Sequence, residues 1–112
     1  MRIYGIWILI LPGIFAGGCM QPLDSQGRAI LVAGRQQYGE SNYVQCSNTL
    51  SQFLEKYSRT QEAGEAWYLR GLCYREMGTN NEAAAQADLE NAAARGADAS
   101  VRALSRVALG HM

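Results

Sequence analysis

From Leu23 to Met112 the chain contains no proline, and this constrains its fold more than any other feature. Every residue there keeps the amide hydrogen that a helix needs, and alanine, the best helix former, is frequent. Apolar spacing supports the same conclusion. Between Tyr43 and Tyr57 the apolar positions are Tyr43, Cys46, Leu50, Phe53, Leu54 and Tyr57, one stripe of an α-helix with polar residues opposite. Between Ala63 and Met77, Trp67, Gly71 and Tyr74 form one face, while Tyr68, Leu69, Leu72 and Cys73 fill much of the remainder. A helix apolar on two sides must be packed on two sides. Gly71 costs such a helix about 1 kcal/mol relative to alanine, so it marks a place where another helix comes too close for a side chain.

Turn chemistry divides the stretch. Gly39-Glu40-Ser41-Asn42 separates a helix over 26–38 from the Tyr43 helix, and Ser58-Arg59-Thr60-Gln61 precedes the Ala63 helix. Gly78 can end that helix in a left-handed conformation, and Thr79-Asn80-Asn81-Glu82 has the form of a capping box opening a helix over 80–95. Gly96 can close it, and Asp98 can cap a last helix over 99–109. The expectation is five helices, short turns and no sheet.

The N-terminus is different. After Arg2, residues 3–15 form an uncharged apolar run of 13 residues. As a helix it spans about 20 Å, against a hydrocarbon core of about 30 Å. Pro12-Gly13 interrupts it. A positive start, a short apolar core and then small residues is the plan of a secretion signal. The small residues are Ala16-Gly17-Gly18, followed by Cys19, and the sequence resembles the lipobox of bacterial lipoproteins. The resemblance implies cleavage between Gly18 and Cys19 and lipid attachment to the Cys19 thiol. The family's usual leucine three places before the cysteine is Ala16 here. The alternative is an ordinary secretory signal cut nearby. Met20, where an aspartate is similar to an inner-membrane retention signal, directs the expectation to the periplasmic side of the outer membrane. Domain boundaries are then a signal over 1–18, a lipidated tether over 19–25 and a helical domain over 26–112.

The helices repeat. Gly34, Gly71 and Gly110 can be placed in register, with Cys46 and Ala83 each twelve residues past their glycine. Trp67, Gly71, Tyr74, Gly78 and Ala83 have the identities and spacing of the tetratricopeptide repeat, a helix–turn–helix unit of about 34 residues, which the chain resembles over most of 26–95. The family usually has leucine just before the first of these glycines, where this chain has Arg70. The resemblance implies an all-α superhelix of about two hairpins, with the helix over 99–109 as a cap covering the previous hairpin through Val101, Leu104 and Val107-Ala108. It also implies a groove for a protein or peptide partner, lined by Arg28, Leu31, Arg35 and Tyr38 from the first unit. Tyr68, Leu72, Arg75 and Glu76 would line it in the second.

Other chemistry finds little support. Ten basic and ten acidic residues are spread along the chain, giving zero net charge and no clustered basic face for nucleic acid. The lone His111 sits beside the C-terminus, and the residues suggest no catalytic triad, metal cluster or cofactor site. Cys46 and Cys73 both lie on apolar faces and could pair in an oxidising compartment or remain buried thiols. The expected function is a lipid-anchored periplasmic adaptor, not an enzyme. The rival is a truncated or degenerate accessory fragment of a larger envelope protein, its helices purely structural.

Overall fold

The computed structural model describes residues 20–111, and its fold is all-α. Five helices follow in order: α1 Ser25–Gly39, α2 Tyr43–Tyr57, α3 Ala63–Met77, α4 Glu82–Arg95 and α5 Ala99–Gly110, with a 3-10 turn, Thr79–Asn81, before α4. Residues 1–19, which hold the expected signal, the Gly18–Cys19 cleavage point and the Cys19 lipid site, lie outside the described residues.

The contacts fix the topology. Gly27 lies against Tyr57 and Gly34 against Leu50, so α1 and α2 run antiparallel. Gly64 meets Gly96 and Gly71 meets Leu89, so α3 and α4 do the same. Between the hairpins, Cys46 touches Cys73 and Ser51 bonds Arg70, again antiparallel. By contrast α1 and α3 are parallel neighbours, joined by Arg35 and Glu65. Arg106 and Arg102 of α5 donate to the carbonyls of Ala93 and Gly96, setting the last helix antiparallel to α4. The result is a stack of helical hairpins in which α1, α3 and α5 are the first helices.

One core joins α1, α2, α3 and α4 through Leu31, Cys46, Leu50, Phe53, Tyr57, Trp67, Leu69 and Ala92. A second, smaller one gathers Leu72, Leu89 and Ala108, flanked by Tyr38, Tyr68 and Leu109. The two-sided burial expected of the Trp67 helix is what α3 shows, with Ala66, Trp67, Leu69, Gly71, Leu72 and Cys73 all buried.

Glycine sets the approach of each hairpin's second helix. A Cβ at Gly34 would lie 2.6 Å from Leu50 Cδ2, and one at Gly71 2.9 Å from Leu89 Cγ. Leu50 follows its glycine by sixteen residues but Leu89 follows by eighteen, so the second hairpin is longer by two residues. Ala83, expected at the crossing, is consequently exposed, and Ala85 and Leu89 take that place. The turn explains the offset. The expected capping box is absent: no side chain caps α4, and the Asn81 amide instead donates to the Gly78 carbonyl in the 3-10 turn. Gly78 does have a positive φ of 113°, with ψ extended at −177°, a region open almost only to glycine. Gly110 has no third helix against it; a Cβ there would meet nothing, and the residue is exposed.

Trp67 and Tyr74, the aromatic members of the motif, each lie beside an arginine. The Arg95 guanidinium stands 4.8 Å from the Trp67 ring centre and that of Arg70 5.6 Å from the Tyr74 ring. Arg70, in the place where leucine was anticipated, is accommodated because Asp88 of α4 meets it. Arg70 Nε and Nη2 each donate to an Asp88 oxygen at 2.7 Å, and Nη1 donates to Ser51 Oγ at 3.1 Å. One side chain thus ties α2, α3 and α4 together. The cap expectation is met in part: Ala108 is buried and Val101 packs on the main core, but Leu104 and Val107 are 49% and 58% exposed. The Asp98 cap is present, its carboxylate accepting from the Ser100 amide at 2.8 Å.

Two stability predictions follow from these seams. At Gly64 an added Cβ would lie 2.6 Å from the Gly96 Cα, where only backbone could yield, so Gly64→Ala should cost about 2–3 kcal/mol. Gly71→Ala, opposed by Leu89 Cγ and by the Ala85 carbonyl and only partly offset by helix propensity, should cost about 1–2 kcal/mol, and Gly39→Ala, in open space, should add about 0.5 kcal/mol. Urea titrations will rank the three. Arg70→Leu should cost about 3 kcal/mol by leaving Asp88 buried without a counter-charge, and adding Asp88→Leu should restore most of it; the same titrations test this pair.

Candidate functional site

The candidate site is the face presented by α1, α3 and α5. Because these helices are parallel and α3 contacts both α1 and α5, they share one side of the stack. Arg35 of α1 and Glu65 of α3 form a two-pronged ion pair across it, Nε to Oε2 and Nη2 to Oε1, both at 2.7 Å. The bonded carboxylate holds the Arg35 guanidinium above its ordinary pKa. Its side chains are 49% and 29% exposed, so the pair orients the two helices more than it stabilises them.

Further along α1 and α3, Tyr38 and Tyr68 are partly buried and flank the smaller core together with Leu109 of α5. Tyr43 meets the Tyr38 ring edge-on, with centres 5.9 Å apart. Burial, with the neighbouring Tyr43 and Tyr68, raises the Tyr38 hydroxyl above the ordinary tyrosine value. At the opposite end, where α3 and α5 begin, a cleft of about 250 Å³ is lined by residues including Glu62, Glu65, Asp98 and Val101.

The expected groove residues divide. Arg35 and Arg28 are exposed, and Tyr38, Tyr68 and Arg75 are partly buried, so all five are reachable; Glu76 is exposed as well. Leu31 and Leu72 are not groove residues. Leu31 is 1% exposed and lies in the main core, and Leu72, at 6%, packs with Leu89 and Ala108. An apolar side chain between two neighbouring first helices is drawn into their seam. Glu65 and Leu109 were missed, and Asp98, expected only as a helix cap, also lines the cleft. A signal for Glu65 was present: Arg35 and Glu65 sit thirty residues apart, close to one repeat length, with opposite charge.

Cys46 and Cys73 are fully buried and unbonded, with sulfurs 2.9 Å apart; the Cys73 thiol donates to Cys46 Sγ, and the Cys46 thiol to the Gly34 carbonyl at 3.4 Å. Burial raises both thiols above the ordinary range, and for Cys73 the bond to Cys46 adds to the rise. Both sulfurs are shielded from solvent, which keeps them from acting as nucleophiles in the closed fold. Among the described residues no group of three His, Cys, Asp or Glu side chains is gathered in a way that could hold a metal ion.

The stretch expected to be a tether is docked from Gln21 onward. The Gln21 amide donates to the Arg59 carbonyl at 2.9 Å and its side chain to the Lys56 carbonyl at 3.1 Å. Leu23 packs on the core. Asp24 caps α1, its Oδ1 accepting from the Gly27 amide at 2.8 Å and from the Tyr57 hydroxyl at 2.7 Å. Gly27 makes room for this, since a Cβ there would collide with Leu23 and Tyr57.

The Gly27 amide first, and then the Tyr57 hydroxyl, hold the Asp24 carboxyl below its ordinary pKa. A lowered folded value means the contribution is fully present above the unfolded pKa and lost as pH falls through the folded one. Thermal melts should therefore drop on acidification below about pH 4. Asp24→Ala should lower the neutral-pH midpoint by roughly 5 °C and flatten that acid limb. Tyr57→Phe should shift the limb to higher pH.

No known protein family, curated protein or solved structure matches the chain.

Proposed function

We propose that this chain is a lipid-anchored adaptor of the bacterial envelope, built on a short tetratricopeptide-like array, that binds a protein segment along the face of α1, α3 and α5. The observation that carries the reading is the parallel setting of those helices, which puts Tyr38, Tyr68 and Arg75 on one reachable surface beside the Arg35–Glu65 pair. Tyrosine and arginine suit such a role, because each offers a large contact area together with a polar tip. The mixed charges of Arg35, Glu65 and Glu76 suit a polar peptide with apolar anchors. They do not suit a nucleic-acid backbone, which asks for a positive track.

The anchor rests on the sequence: a short apolar run, the small residues Ala16-Gly17-Gly18, and Cys19. No described helix is long and apolar enough to cross a membrane, so membrane attachment through the described domain itself has no span to use. Lipid on Cys19, with cleavage after Gly18, would supply it. The periplasmic side of the outer membrane remains the proposed location, on the strength of Met20 following the cysteine.

Photo-crosslinking in intact cells tests the binding face. A photoreactive amino acid in place of Tyr68 or Arg75 should give a discrete adduct of one size, whereas one in place of Gln52 or Asn48, exposed on α2, should give none. With the captured partner in hand, Tyr38→Ala should weaken binding by about 2 kcal/mol, roughly thirtyfold. Equal labelling from both faces would refute the site. Intact mass of the mature protein decides the anchor separately, since it reports both the new N-terminus and any acyl chains.

A further inference from the structure

We propose that Cys46 and Cys73 form a structural disulfide that staples α2 to α3 and thereby joins the two hairpins. The proposal stands on geometry and is independent of what the first-helix face binds. The sulfurs are 2.9 Å apart, so closing to the S–S bond length asks for an approach of about 0.9 Å. The two helices already run antiparallel at this point, with the Arg70–Ser51 hydrogen bond beside it. Both thiols are 0% exposed, with Cys46 bonded to the Gly34 carbonyl and the pair sharing one core with Leu31, Leu50, Phe53 and Leu69. A plain packing role would be served by alanine or valine at either place. Two thiols facing each other add a bond that neither of those could make.

The bond would matter because of what it closes. It spans a separation of 27 residues, covering most of α2, the Ser58–Glu62 connection and most of α3. It crosses between hairpins, the seam along which a short helical array would otherwise open. Cross-linking a loop of that size removes a large part of the freedom of the unfolded chain.

The chemistry is thiol–disulfide exchange with an external disulfide. One cysteine, as thiolate, attacks a sulfur of the reagent disulfide, forming a mixed disulfide and releasing one reagent thiolate. The second cysteine, deprotonated in turn, attacks the protein sulfur of that mixed disulfide and releases the other reagent thiolate. The pair gives up two electrons, which reduce the reagent disulfide to two thiols, and its two protons pass to those thiolates. Neither sulfur is reachable in the closed fold, so exchange runs during folding or through opening of α1 from α2. The same shielding protects the finished bond from reductants, which makes it structural and not a switch.

The test uses the full chain carrying Cys19→Ala, in detergent, so that Cys46 and Cys73 are the remaining thiols. It is unfolded in urea and refolded with oxidised and reduced glutathione. The expected result is a mass lower by about 2 Da, no maleimide labelling under denaturing conditions, and restoration of both by dithiothreitol. The oxidised form should keep its helical circular dichroism and melt about 10 °C or more above the reduced form. Two free thiols after oxidising refolding, a stable glutathione adduct, or an oxidised form that melts below the reduced one would each overturn the proposal. A Cys73→Ala partner variant should show no change in melting with reductant; because the parent is compared with and without its bond, the outcome stands even where that variant folds poorly.

Discussion

The distance between the two helices of each hairpin is set by the absence of side chains on the first helix, and the rest of the architecture follows from it. At Gly34 and Gly71 a leucine from the return helix occupies the space a Cβ would take, and at Gly64 the backbone of Gly96 does so. Such close contacts bring the first helices low over their partners, and this allows α3 to neighbour both α1 and α5 as well. A pairing held further apart by large side chains would separate α1 from α3 and remove both the Arg35–Glu65 contact and the shared tyrosine surface. Glycine in a helix is costly in isolation, so its retention is intelligible only through this packing.

Helix positions were legible because each is written locally. The proline-free stretch, the 3–4 spacing of Cys46, Leu50, Phe53 and Leu54, and the turn glycines all act within a few residues. The helix bounds accordingly fall close to those read from sequence. Side-chain destinations were less legible, since they depend on partners distant in sequence. Leu31 and Tyr38 are both apolar positions of α1, and only the position of α3 determines that one is sealed and the other left reachable. Ala83 was misplaced because a repeat register cannot register a 3-10 turn that lengthens one hairpin by two residues. Asp24 was overlooked as a cap because a stretch following an attachment point reads as a spacer, although its partner Tyr57 lies 33 residues away.

Polar groups inside the stack do a different job from the apolar ones. Leu50, Phe53 and Leu89 contribute burial but would tolerate small rotations of one helix on another. Arg70 allows far less freedom: its planar guanidinium is bound at both prongs by Asp88 and on its third nitrogen by Ser51, so the rotation of α3 relative to α2 and α4 is specified. A leucine at this position would pack without fixing orientation. The departure from the repeat pattern at Arg70 is therefore compensated by Asp88, and the matched pair secures geometry at the joint between hairpins. Whether such a pair adds net stability over two apolar residues is a separate matter, because desolvation offsets much of the attraction.

The docked N-terminal segment links the fold to the proposed anchor. Met20 is exposed, and the backbone just after it is fixed to the α2–α3 connection by the Gln21 bonds to Arg59 and Lys56. A lipid on the preceding residue would consequently emerge beside that connection, within a residue or two of a rigid point, and not at the end of a flexible leash. Membrane attachment would then restrict how the stack can turn, holding the 58–62 end nearest the bilayer while the Gly39–Asn42 and Gly78–Asn81 turns, at the other ends of the hairpins, face away. Tyr38, beside the Gly39–Asn42 turn, would be carried clear of the headgroups, where a periplasmic segment could reach it. The Asp24–Tyr57 bond and the space left by Gly27 hold the segment before α1 against the end of α2, so the proposed anchor would pass its position to the first helix with little slack.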